Sequence, residues 1–230
     1  MQIDLLSAIR RIASRLVAPM LAVAIAAIPA GCGDDGEDDV HVPLGQGHDF
    51  GSNNPNLYVA MGDSITEGNK DPEIVPYPTR LSEMLGKPVV NLGEGGAWSG
   101  DGVDQVDEAL YQFQPGFLLL LYGANDIHPD HNPAETVSNI AYMVDAARAN
   151  KTIPVIATLT PFIEGKRGYL AQYVPPVSEA IRQYAARENV PLVDLEKAFG
   201  NNAAYLKPDG LHPSESGTQL IAEMFCDVLK

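Results

Sequence analysis

The sequence predicts an α/β domain: a three-layer αβα sandwich around a five-stranded, mostly parallel sheet. Three observations carry that expectation. Short apolar runs alternate with longer amphipathic ones, the signature of βαβ units. The short runs are apolar at nearly every position, as strands buried on both faces must be. Gly, Pro or Asn punctuates the passage from one run to the next.

Taken in order, residues 57–61 (Leu-Tyr-Val-Ala-Met) form the first expected strand, closed by Gly62. A helix is expected over 77–85, between Pro76 and Gly86, and a second strand over 88–91 ahead of a glycine-rich loop. Helical spacing returns over 103–112. Residues 117–122, four consecutive leucines among them, give the third strand. Asn132-Pro133 opens a helix over 134–149, residues 153–159 the fourth strand, 171–187 a helix, 192–194 the fifth strand and 215–229 the last helix. No internal repeat interrupts the pattern.

The chain divides into three expected parts. Residues 1–31 read as an export signal, because Arg10, Arg11 and Arg15 precede an apolar run whose length suits a signal core of roughly 7–15 residues and falls short of the ~20 that span a bilayer. The twin arginines lack the rest of a twin-arginine signal. Ala30-Gly31-Cys32 resembles the end of a bacterial lipobox, with Pro29 where leucine is usual. The expected product is a membrane-anchored lipoprotein of the cell envelope acylated on Cys32; the alternative is ordinary cleavage and secretion with a free cysteine. Residues 32–56, opening on an acidic run from Asp34 to Asp39, are expected to be a disordered tether, and residues 57–230 the folded domain.

Composition narrows the partners. A formal charge of -15 argues against nucleic acid and against anionic lipid surfaces as electrostatic partners, and weakly favours neutral or cationic substrates. With only Cys32 and Cys226 present, no disulfide framework is available.

Four separated fragments carry chemistry: Gly62-Asp63-Ser64-Ile65-Thr66, Asn91-Leu92-Gly93-Glu94-Gly95-Gly96, Gly123-Ala124-Asn125-Asp126 and Asp209-Gly210-Leu211-His212. A serine hydroxyl becomes a competent nucleophile when an imidazole takes its proton, a carboxylate holds the imidazole tautomer, and donors receive the resulting anion. Ser64, Gly-rich loop and Asn125 each follow a predicted strand, so all three belong to one edge of the sheet. Read singly, Ser64 is also adequate as a helix cap, Gly96 as a turn glycine, Asn125 as a cap and His212 as a loop histidine. Gly93 and Gly95 raise a nucleotide-binding reading, but Trp98 occupies the third glycine position of Gly-x-Gly-x-x-Gly.

Together the fragments resemble the four blocks of the SGNH hydrolases, also called the GDSL lipase and esterase family, from about Leu57 to the C-terminus. Ile65 stands where the family has leucine. The resemblance implies a flavodoxin-like fold, a triad of Ser64, His212 and Asp209, and an oxyanion hole from the N–H of Ser64, the N–H of Gly96 and the side-chain amide of Asn125. It calls for no metal and no cofactor, so His128 and His131 are expected as loop residues at the pocket mouth rather than ligands. Trp98, Tyr122 and Phe162 are candidates for shaping that pocket, or core. The implied substrate is a small ester, either a lipid acyl ester or thioester of the lysophospholipase and thioesterase kind, or a sugar acetate. Two readings from other classes stand beside it: a catalytically idle binding lipoprotein on the same fold, and an acyltransferase using the same acyl-enzyme.

Overall fold

The computed structural model describes residues 43–68, 71–163, 165 and 167–230. The expected export signal, Cys32 and the acidic run lie outside the described residues. The sheet consists of β1 (Asn54–Gly62), β2 (Val89–Gly93), β3 (Pro115–Leu121), β4 (Ile153–Ala157) and β5 (Leu192–Val193). All pairs are parallel, in the order β2-β1-β3-β4-β5. This is the flavodoxin-like order, whose direction of winding reverses between β1 and β3.

Helices make the crossovers that parallel strands require. Those before β5 are α1 (Ser64–Glu67), α2 (Tyr77–Leu85), α3 (Ser99–Phe113), α4 (Pro133–Ala149) and α5 (Val174–Glu188); α6 (Leu195–Phe199) and α7 (Glu215–Leu229) follow it. Right-handed crossovers put α2 on one face and the row α3, α4, α5 on the other, and α7, which follows β5, packs beside α2. The core lies between these layers. All seven residues of β3 are buried, and each buried leucine there contributes roughly 1.5–3 kcal/mol through apolar burial. Tyr58 stacks on Phe117 with centroids 4.5 Å apart, and Tyr77 on Phe225 at 5.3 Å.

Four boundaries differ from expectation for identifiable reasons. Helix α3 starts at Ser99 rather than 103, because Asp101 accepts the Trp98 N–H at 2.7 Å and Asp126 accepts that of Ser99 at 2.9 Å. Helix α5 starts at Val174, since Pro175 and Pro176 have no N–H and fit only a first turn; a 3₁₀ turn, Gly168–Tyr173, precedes it. Strand β4 stops at Ala157, beyond which Thr158 turns its hydroxyl to Asp194. At the other end, the expected domain start at Leu57 falls inside β1. Residues 43–53 lie against the amino-terminal ends of β3 and β4: Phe50 meets Phe117 with centroids at 5.8 Å, His48 Nε2 meets the Lys151 carbonyl at 3.0 Å, and Lys151 donates to Asp49 at 2.6 Å.

Candidate active site

Ser64 sits where β1 gives way to the single turn of α1. That turn is folded tightly back over the sheet edge, and glycine makes it possible. A Cβ on Gly62 would stand 2.1 Å from Thr66 Oγ1 and 2.5 Å from the Leu121 carbonyl; one on Gly93 would stand 2.1 Å from the Glu67 nitrogen. Asp63 caps the turn, accepting the Ile65 N–H at 2.8 Å. Asn91 closes its far end, donating to the Thr66 carbonyl and accepting from the Gly93 N–H, both at 2.9 Å.

His212 arrives from the opposite end of the chain on a loop with its own internal bonding. The Lys207 N–H donates to the His212 carbonyl at 2.8 Å, and Leu206 pairs with Pro213 as an antiparallel bridge. Within that loop Asp209 Oδ1 accepts the N–H groups of Leu211 and His212, each at 3.0 Å, and Oδ2 meets His212 Nδ1 at 2.7 Å. A carboxylate at Nδ1 places the proton there and leaves Nε2 as the acceptor. Nε2 lies 3.0 Å from Ser64 Oγ. The structure therefore brings Ser64, His212 and Asp209 into one hydrogen-bonded chain.

Gly96 and Asn125 come to the same edge on the loops after β2 and β3. Gly96 has φ +86°, a left-handed conformation suited to glycine. Among the described residues neither its N–H nor that of Ser64 meets an acceptor. Asn125 Nδ2 donates one hydrogen to the Ala97 carbonyl at 2.9 Å, leaving its second N–H, and Oδ1 faces Arg167 Nη2 at 3.5 Å.

Charge around this edge is uneven. Burial pushes the Asp63 carboxyl up to about 7, with the Ile65 N–H opposing it. Burial also raises Asp209, but the bonds from His212 and the two backbone N–H groups outweigh it and hold that carboxyl below its usual value. Lys207 forms an ion pair with Asp71 at 2.6 Å, tying the loop after α1 to the loop that carries His212. A narrow cleft beside Ser64 and His212 is walled by Ile65, Ile74, Pro213 and Thr218.

The remaining candidates separate cleanly. His131 Nε2 is 2.9 Å from Thr136 Oγ1, and its ring lies 5.4 Å from that of His128; among the described residues no group of three or more His, Cys, Asp or Glu is arranged around a metal position. Tyr122 and Phe162 are buried and belong to the core, whereas Trp98 is 51% exposed with its ring 6.4 Å from His128. Sequence reasoning gave Asn91, Asp126 and Arg167 no part in holding the site. The first two stand inside quoted motifs, so their polarity was visible, but what they bind was not.

A parallel sheet of this order with a Ser–His–Asp chain at its carboxyl edge defines a hydrolase of the flavodoxin-like class. The chain belongs to the GDSL-like lipase/acylhydrolase family, which matches residues 60–220. It is similar to thioesterase 1/protease 1/lysophospholipase L1 of Escherichia coli K12, with 25% identity over 178 residues that cover 74% of this chain and 81% of that protein. It also resembles the uncharacterized lipoprotein YqeF of Bacillus subtilis, at 22% identity over 209 residues, 72% of this chain and 86% of the relative. The crystal structure of a GDSL-like lipase from Bacteroides thetaiotaomicron superposes with a TM-score of 0.63 at 24% identity, covering 76% of this chain and 88% of the other, which establishes the shared fold.

Proposed function

We propose that the protein is a serine carboxylic ester hydrolase that works through an acyl-enzyme on Ser64. The observation that carries this reading is the pair of contacts at 3.0 Å and 2.7 Å linking Ser64 Oγ to His212 and His212 to Asp209. Ser64 Oγ attacks the ester carbonyl carbon as its proton passes to His212 Nε2, while Asp209 keeps Nδ1 protonated and compensates the imidazolium. The oxygen that becomes negative is received by the N–H groups of Ser64 and Gly96 and the free N–H of Asn125. Collapse of the tetrahedral adduct returns the proton from His212 to the departing alcohol or thiol. A water, deprotonated by the same nitrogen, then releases the acid.

The substrate class is an acyl ester or thioester of the lysophospholipase and thioesterase kind, or a sugar acetate. The chain is exported and held at the cell envelope by acylation of Cys32, a reading supported by the order of basic, apolar and small residues before it. A panel of p-nitrophenyl esters from acetate to palmitate, an acyl thioester and an acetylated sugar tests the activity. Hydrolysis of at least one, lost in Ser64→Ala with thermal unfolding unchanged, is expected. Undiminished turnover in Ser64→Ala overturns the reading.

A further inference from the structure

Arg167 lies on the loop between β4 and the 3₁₀ turn, far in sequence from the four motif blocks. Its guanidinium reaches back to the third block, where Nη1 donates to the Ala124 carbonyl at 3.2 Å and Nη2 faces Asn125 Oδ1 at 3.5 Å. The loop that carries it is seated against the turn carrying Asp209. The Ile163 N–H donates to the Gly210 carbonyl at 3.0 Å, and a Cβ on Gly165 would stand 2.4 Å from the Asp209 carbonyl oxygen.

An asparagine amide can serve an oxyanion only with its nitrogen turned toward it, and the two ends of the amide are nearly equal in shape. Arginine offers donors and no acceptor, so its fork can donate only to the oxygen end. The Ala97 carbonyl, an acceptor, demands the nitrogen end. These two contacts select the same orientation. A cation on Oδ1 also draws electron density through the amide, which strengthens the remaining N–H as a donor. The neighbourhood makes that cation more consequential, because the carboxylates of Asp126, next to Asn125 in sequence, and Asp209, bound to His212, repel an anion formed there.

We infer that Arg167 is a positioning residue of the oxyanion hole: it fixes and polarises the Asn125 amide, and so acts on the transition state through Asn125 rather than by touching substrate. The assignment rests on the proposed ester hydrolysis. Its test is a double-mutant cycle of Arg167→Met and Asn125→Ala, read as kcat and KM on p-nitrophenyl acetate, with Arg167→Lys and thermal unfolding alongside. Arg167→Met is expected to lower kcat about tenfold with KM within about twofold, and to cost less than about twofold once Asn125 is alanine, since its route of action is then gone. Arg167→Lys should recover part of the loss, as a charge without the planar fork. Equal losses in both Asn125 backgrounds would overturn the inference, as would a pure KM effect confined to esters with an anionic group, which makes Arg167 a substrate-binding cation. An active Ser64→Ala sinks the ester-hydrolase reading itself; an Asn125→Ala defect with Arg167→Met indifferent sinks only this inference.

Discussion

Asp126 accepts both hydrogen bonds that Ser99 offers, the backbone N–H at 2.9 Å and the hydroxyl at 2.5 Å. Thr136 Oγ1 donates to the same carboxylate at 2.5 Å, so one buried side chain joins the start of α3 to the first turn of α4 while holding the loop that carries Asn125. Asp126→Ala strands those donors in the interior. The expected result is a loss of about 2–4 kcal/mol in denaturant unfolding together with a fall in kcat, because Asn125 is the next residue. Unfolding and turnover measured on the same preparation check it; full activity at reduced stability would confine Asp126 to packing.

In the proposed mechanism, Asn125→Ala removes one donor from the developing oxyanion without touching the nucleophile. A decrease in kcat of roughly 10²–10³ with KM little altered is expected from steady-state kinetics. A change in KM alone would contradict the role.

Gly62→Ala inserts a methyl group where Thr66 Oγ1 and the Leu121 carbonyl already stand, at 2.1 and 2.5 Å. The carbonyl is backbone of the central strand and has little room to move. Destabilisation of roughly 1–3 kcal/mol, with loss of most activity as α1 and Ser64 shift, is expected in thermal unfolding and ester turnover. A variant as stable and active as the parent would show that the turn relaxes freely.

The pH dependence of stability has two branches of opposite sign. Asp63 has a folded value of about 7 against the ordinary 3.8, so between those values the folded state binds more protons than the unfolded one. Stability therefore falls as pH rises from about 4 to 7 and is flat above. Asp209 and Asp194 are held below their ordinary values, Asp209 by His212 and backbone N–H groups against the pull of burial, Asp194 first by Arg182. Their stabilisation is present above the ordinary 3.8 and is lost as pH falls below it. Maximum thermal stability is expected in mildly acidic buffer, and Asp63→Asn, which keeps the cap but cannot ionise, should remove the decline toward pH 7, on the order of a few kcal/mol. An unchanged decline in Asp63→Asn would assign it to another group.

Attachment is tested at the other end of the chain. A diacylated N-terminus anchors stably where one acyl chain is marginal, so the full-length protein should sediment with membranes and release with detergent. Cys32→Ala should accumulate as precursor. Mass spectrometry of the mature N-terminus decides it, and an unmodified, freely soluble product would leave plain secretion.

What the sequence determined by itself was the order of the strands and longer helices and the residues that meet at the candidate site. Both are local properties. The run 117–122 is apolar because β3 is covered on two faces, and Asp209 and His212 are three residues apart, so a single turn is enough to make them meet. Tertiary structure decided the rest. Helix α3 begins at Ser99, ahead of two glycines that weaken a helix, because Asp126 from another loop accepts the Ser99 N–H and hydroxyl. Residues 43–53 leave the expected tether and pack because Phe50 finds Phe117. The orientation of the Asn125 amide rests on Ala97, 28 positions away, and Arg167, 42 away. Periodicity and composition report how a residue relates to its neighbours along the chain; these three outcomes depend on partners that are neighbours only after the sheet has closed, and no short window of sequence contains both halves of such a contact.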